Sequence, residues 1–443
     1  MDALTLQDGI TQAGSPVELL WQQHPPAWAP PVVQPEYAGW RQEQAAWRTT
    51  VTISDLSYHM WDTFIDGPDA SRLLSELSAN DYRSFAIGQA KQFLPVTQEG
   101  HIVNDGILLR QGEDRYVLSG VPPAHHWVTY HAEHGDYDVE WTSDPSMEFR
   151  PGEQPELFRF QVQGPRAMDL VERAFGGPLP RTKFFHSTEV ELGGRRFRAL
   201  RHGMAGQPGF EFIGEYGDGA YVKDALMTAG EPLGLVHIGA MAYPTSGPES
   251  GWLPCPMPGI YTSPELADYR SDIPLFSYEG KNPLYGSYFS PDIEDYYVSP
   301  YELGYGRFIS FDHDFIGRDA LKAAANKVHR TKVTLVVDPA DIATKLGADH
   351  GIVYTLAYHR VEADGGLVGT TASTAFVDPL GTLLSLALVD VDHAEPGTEV
   401  EIVWGAHPGP GTAPDAEFGF PRLKAIVAPS PYDEYARTSY RKN

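Results

Sequence analysis

The chain has 443 residues and a formal net charge of −26, from 59 acidic and 33 basic side chains. A surface this acidic repels phosphate backbones, which excludes nucleic acid as a partner, and no apolar run reaches the ~18 residues of a membrane-spanning helix. A single cysteine, Cys255, rules out an internal disulfide and a cysteine-rich metal site.

The length allows two to four domains, and 44 glycines with 37 prolines predict many turns. The opening segment "MDALTLQDGITQAG" has neither a basic patch nor an apolar stretch, so no signal peptide is read and the cytoplasm is the expected compartment. In "SPVELLWQQ", Ser15 is placed to cap a helix starting at Pro16, with Glu18 where a capping box wants it. "GPDASRLLSELS" (67–78) has a Gly-Pro start followed by apolar residues at helical spacing. In "LFRFQVQ", Phe158, Phe160 and Val162 alternate as in a strand with one buried face. "GPRAMDLVERAF" (164–175) repeats the Gly-Pro helical pattern. "STEVELGGRRFRAL" predicts two strands joined by Gly193-Gly194, and its arginines read as a solvated strand face. "GAYVKDALMTAG" (219–230) is again helical.

"MAYPTSGPESGW" (241–252) has the composition of a loop, yet it carries Tyr243, Glu249 and Trp252. Two readings fit: a rigid loop serving a ligand, or aromatic plugs in a domain seam. "DHDFIGRDALKAAA" predicts a turn feeding a helix capped near Gly317. From "RTKVTLVVD" onward the chain turns to short alternating strands, which places a separate all-β domain, barrel or sandwich, at 330–443. Hairpins mixed with helices make the fold class α+β rather than a repeated βαβ wind, and no glycine-rich phosphate loop follows a strand.

"EDYYVSPYELGYGRFISFDHDFIGRDAL" (294–321), followed by "GGLVGTTASTAFVDPLGTLLSLALVDVD", resembles the second half of the glycine-cleavage T-protein, or aminomethyltransferase, family. "KQFLPVTQEGHIVNDGI" (91–107), "RHGMAGQPGFEF" (201–212) and "AYPTSGPESGWLPCPMPGIYT" (242–262) narrow the resemblance to the tetrahydrofolate-dependent aryl O-demethylases and the sesamin-metabolising methylene transferase. It covers the chain from about residue 15 to the end. It implies a clover-leaf fold: two interlocked α/β subdomains within 1–329 around a folate channel, then the β domain at 330–443. It implies tetrahydrofolate as the one-carbon acceptor and a small aromatic substrate. By the same resemblance Glu211 matches the acid that holds the pterin, whose adjacent N–H donors suit a carboxylate. Trp252 matches an aromatic that packs on the folate. Asp105 matches an acid beside the reactive nitrogens, although an Asn-Asp-Gly turn would carry the same letters. Tyr243 matches the catalytic tyrosine of the demethylases, and a phenol of pKa ~10 suits protonation of a departing phenolate.

The departures from that family concern the substrate. Val121 stands where the aromatic-acid demethylases grip a carboxylate with arginine, Leu56 replaces a glutamine, and Pro30 replaces a tyrosine, while His59 is kept. A carboxylate buried without its arginine would cost several kcal/mol, so the expected substrate is neutral. His125 and His126 have no third ligand at a recognisable spacing, and no metal is expected. The leading expectation is removal of the methylene group of a neutral methylenedioxyphenyl compound such as a sesamin-like lignan, giving a catechol and 5,10-methylenetetrahydrofolate. The alternative is O-demethylation of a neutral, guaiacol-like methoxyarene to 5-methyltetrahydrofolate. Two rivals are weaker. A glycine-cleavage aminomethyltransferase, which must dock a lipoyl carrier protein, usually has an arginine where Met241 stands, so no carrier protein is expected. A passive folate-binding module would carry a cysteine signature that Cys255 does not match.

Overall fold

Alternation along short segments builds three sheets in the computed structural model, in which residues 4–27, 30, 32–150, 154–347 and 349–442 are described. The strands of the first two sheets are β1 (Val51–Asp55), β2 (Trp61–Asp66), β3 (Ala90–Phe93), β4 (Gly106–Arg110), β5 (Arg115–Gly120), β6 (Glu140–Asp144), β7 (Leu157–Gln163), β8 (Ser187–Leu192), β9 (Arg195–Leu200), β10 (Gly209–Glu215) and β11 (Leu235–Ile238). One sheet runs β3-β4-β5-β2-β6, the other β11-β1-β7-β10-β9-β8. The chain leaves the six-stranded sheet after β1, builds the five-stranded sheet, and returns at β7. The five-stranded sheet is therefore inserted between the first two strands of the six-stranded one, an α+β arrangement.

The third sheet consists of β12 (Arg330–Val337), β13 (Tyr354–Thr355), β14 (Arg360–Ala363), β15 (Gly366–Val377), β16 (Thr382–Asp390), β17 (Glu399–Val403) and β18 (Arg422–Ala428). Pairing of β15 with β16 closes six of these strands into a barrel, and β13 adds to β15. Closure removes the free edges that short strands would otherwise expose. Val333, Leu335 and Val337 alternate into its core. The chain after the barrel packs back on the first region: the Tyr440 hydroxyl donates to the Gly203 carbonyl at 2.9 Å.

Local signals explain most of the elements. Ser15 accepts the Glu18 N–H at 3.1 Å and caps the helix Pro16–Leu20. Gly193 and Gly194, with φ of 58° and 80°, make the β8–β9 turn that only positive φ allows. Helices at Ala70–Glu76, Ala167–Phe175, Tyr216–Gly230 and Arg318–Ala324 follow the helical spacings.

Two sequence expectations require correction. The loop expected at 241–252 is a 3-10 turn, Tyr243–Thr245, continued by a helix, Ser246–Ser250, that ends at Gly251 with φ 73°. Pro244 occupies a first turn, where no N–H is needed, and the Thr245 and Ser246 hydroxyls donate back to the Ala242 and Tyr243 carbonyls at 2.6 and 2.9 Å. The second correction is β7. Both its faces are buried, because Arg159 reaches across to the second sheet and Gln163 bonds the 205–207 loop while Phe158, Phe160 and Val162 pack against the helices.

Candidate active site

Register across three strands sets the first row of the site. Ser54 on β1 stands opposite Gln161 on β7, which stands opposite Glu211 on β10. The pleat therefore places these side chains on one face of the six-stranded sheet, and Arg159, two residues from Gln161, shares it. The Arg159 guanidinium forks. Nη1 donates to Oε1 of Glu211, and Nη2 donates to Oδ1 of Asp62 at 2.8 Å and to the Ser119 hydroxyl at 2.9 Å. Asp62 lies on β2 and Ser119 on β5, so one side chain ties the two sheets together. Arg159, Asp62 and Glu211 are each under 5 % exposed, and charges that deep persist only when paired. Burial pushes the Glu211 carboxyl up, but Arg159 outweighs it and holds the group below its ordinary range. Glu211 is thus a buried, ionised acceptor. A carboxylate offers about four acceptor positions, so Arg159 on Oε1 leaves capacity for further donors.

A cavity with an empty volume of about 230 Å³ opens beside this row, walled among others by Ser54, Pro30, Leu56, His59 and Tyr243. Leu56, His59 and Tyr243 meet because β1 pairs in parallel with β11, and the Ala240 and Met241 N–H groups donate to the Gln34 and Pro35 carbonyls, which brings in the segment of Pro30. The turn after β1 carries Leu56 and His59, and the segment after β11 carries Tyr243. The His59 and Tyr243 rings lie 4.9 Å apart, tilted by 57°. No lysine or arginine is among the described wall residues.

Burial pulls His59 down to about 4, so its ring is neutral at pH 7. Burial, reinforced by the Glu211 charge, raises the Tyr243 phenol well above its ordinary value. This departs from the expectation of an ordinary phenol matched to its leaving group. In the free protein Tyr243 is a hydrogen-bond donor that holds its proton tightly.

Asp105 closes the loop before β4 and is buried. Its Oδ2 accepts the Gln92 amide at 2.6 Å and the Trp252 indole N–H at 3.4 Å. Burial raises its carboxyl despite both bonds. Asp105 and Trp252 therefore belong together, and Trp252 and Tyr243 flank the same short helix. Glu249 on that helix pairs with Arg48. Val121 is not among the cavity wall residues. It follows Gly120, the end of β5, and leads into the helix Pro122–His134, at the edge where Gly120 pairs with Gly106 and Trp61. His125 and His126 take separate partners, Thr63 at 2.8 Å and Glu279 at 2.7 Å.

Residues 18–254 match the family described as the GCVT N-terminal domain. The chain belongs to the glycine-cleavage T-protein family. This T-protein relative is 39% identical to syringate O-demethylase of Sphingobium sp. (strain NBRC 103272 / SYK-6), covering 99% of this chain and 98% of that protein. It is 30% identical to sesamin methylene transferase of Sinomonas sp. (strain No.22), covering 85% and 86%. Aminomethyltransferase T from Bartonella henselae shares its fold with a TM-score of 0.63 at 19% identity, over 90% of this chain and 91% of that one. As a T-protein family member it is a one-carbon transferase with tetrahydrofolate as acceptor.

The residues present fit that cofactor. Asn104 is fully buried with both amide atoms lacking partners among the described residues, and so are Oδ1 of Asp105 and Nε2 of Gln161. Buried polar atoms rarely stay unpaired, and a pterin supplies both donors and acceptors. Glu211 and Gln161 would hold it on one side, Asn104, Asp105 and Trp252 on the other.

Arg159, Asp62, Gln161 and Gln92 went unread in the sequence. The one signal was the Arg-Gln-Gln spacing inside "LFRFQVQ", which is indistinguishable from a solvated strand face until the second sheet and the 205–207 loop cover it. Burial also leaves a pH signature. His359, 4 % exposed, accepts the Ser287 N–H at Nδ1 and is pulled down to about 3. Its unfolded form takes up a proton below about 6.5 and its folded form does not, so stability is full above that pH and falls as pH drops toward 3. Unfolding midpoints measured from pH 6.5 to 4.5 should decline, and His359→Asn should flatten the slope by about 1.4 kcal/mol per pH unit. An unaltered slope would show that His359 takes its proton in the folded state.

Proposed function

We propose that this enzyme transfers one carbon from an uncharged aryl ether to tetrahydrofolate. The observation that carries this reading is the chamber itself. Pro30, Leu56, His59 and Tyr243 converge on one cavity with no cation among its described wall residues, beside the buried Arg159–Glu211 pair. A carboxylate substrate would enter it unpaired, at a cost of several kcal/mol.

When bound, the cofactor supplies the nucleophilic nitrogen that receives the carbon. The chain supplies alignment and proton management. The Tyr243 hydroxyl donates a hydrogen bond to the ether oxygen and releases its proton as phenolate character develops there. His59, neutral at working pH, lies tilted against the Tyr243 ring and adds no charge of its own to the chamber. Asp105, whose carboxyl burial raises, would accept the proton released when the cofactor takes up the carbon. Glu211 keeps the pterin anchored throughout.

Two substrates meet these terms. The apolar walls at Pro30 and Leu56 suit a methylenedioxyphenyl ring that sheds its bridging carbon as a catechol forms. The same cation-free wall suits a neutral methoxyarene that sheds methyl. Incubation with tetrahydrofolate and either guaiacol or 1,2-methylenedioxybenzene, followed by mass analysis of the folate, tests the reading. A methyl product identifies the methoxyarene and a methylene product the acetal. Unmodified folate with both, and with syringate accepted instead, would sink the neutral-substrate proposal.

A further inference from the structure

Lys332 belongs to the barrel by sequence and to the active site by contact. On β12 the residues Val333, Leu335 and Val337 fill the barrel core, and Lys332 faces out of it. Its ammonium donates to the Gly251 carbonyl at 2.6 Å. That carbonyl ends the helix Ser246–Ser250, which links Tyr243 to Trp252, and a cation is favourable at such a negative helix end. The ammonium also lies 5.4 Å from the Tyr305 ring centre. The Tyr305 phenol sits beside Asp105 and Gln92.

We propose that Lys332 is a positioning residue of the one-carbon site: it clamps the Tyr243–Trp252 helix to the barrel and sets a positive charge beside the bonded Trp252–Asp105 pair. Its catalytic consequence rests on the function proposed above; its effect on Asp105 does not. Burial pulls Lys332 down to about 8, with the Asp105 charge opposing that fall and Arg307 adding to it. The other titratable groups facing the pair are Tyr305 and Cys255, both raised by burial and both neutral at pH 7. Lys332 is the cation that acts on Asp105, and it also holds the helix.

The Lys332 contact makes the barrel part of the site rather than an appendage. Asp105 comes from the five-stranded sheet and Trp252 from the segment after the six-stranded one, while the cation that serves both comes from β12.

The test reads Asp105 directly in folate-free protein. The infrared carboxyl band that disappears in Asp105→Asn is titrated in wild type, Lys332→Gln and Lys332→Arg. Glutamine can still donate to Gly251 without the charge, so the Asp105 midpoint should move up by roughly one unit and return in Lys332→Arg. A midpoint that stays put in Lys332→Gln overturns the proposal whether or not folate binds. If Lys332→Gln does not fold, the wild type and Lys332→Arg decide. The fluorescence of Trp252, isolated by difference against Trp252→Phe, should change near pH 8 in wild type and stay flat there in Lys332→Arg. A break near pH 8 in both proteins overturns the proposal equally. Absence of tetrahydrofolate binding to wild type, measured separately by calorimetry, would refute the function reading and leave the Asp105 shift standing on its own.

Discussion

Tyr243→Phe should lower kcat by about a hundredfold or more while leaving tetrahydrofolate affinity within about twofold, because the substitution removes a single oxygen and no packing. The phenol is enclosed with His59 and raised by burial and by Glu211. It cannot ionise ahead of the reaction, so its work is confined to the moment when the ether oxygen becomes basic. Single-turnover kinetics with calorimetry on the same variant separate the two quantities. Equal losses in rate and folate affinity would mean that Tyr243 shapes the cofactor site and is no acid. The raised phenol also predicts that the alkaline side of the rate profile stays flat through pH 10, where an ordinary tyrosine would begin to lose its proton.

The second large effect concerns Arg159. Arg159→Met removes the cation between Asp62 and Glu211 and leaves two carboxylates buried without it, a loss of roughly 3–5 kcal/mol of stability. Urea unfolding monitors this directly. Lysine should rescue little, since the guanidinium serves Glu211 through Nη1 and Asp62 and Ser119 through Nη2, a fork that an ammonium cannot copy. Glu211→Gln is the complementary variant. It keeps the packing, removes one charge, and should lose tetrahydrofolate affinity with a smaller change in stability. A stability loss below about 1 kcal/mol in Arg159→Met would show that the network is solvated in solution.

Helix starts, hairpins and the change to β texture near residue 330 were legible because they depend on neighbours a few residues away. Ser15 with Glu18, Gly193 with Gly194, and the alternation of Val333, Leu335 and Val337 are signals of that kind. The motif resemblance likewise singled out Tyr243, His59, Leu56 and Pro30, which line one cavity, the first three placed there by the parallel pairing of β1 with β11. The misreading of 241–252 has the same local origin in reverse. Prolines and hydroxyls that suit a loop also suit the first turns of short helices.

The remaining features were set by packing between distant segments. Arg159, Gln161 and Gln163 have the alternation of a water-facing strand, and only the second sheet and the 205–207 loop laid across them turn that face into a buried polar site. Lys332 is one lysine in a β-rich stretch until the barrel docks and carries its ammonium to Gly251. The amino-acid sequence alone determined which segments become helices and strands and which chemistry the chain carries. Which polar groups lose water, which charges must then pair, and how far each pKa moves were decided by the tertiary structure, because desolvation depends on what covers a side chain and not on what precedes it.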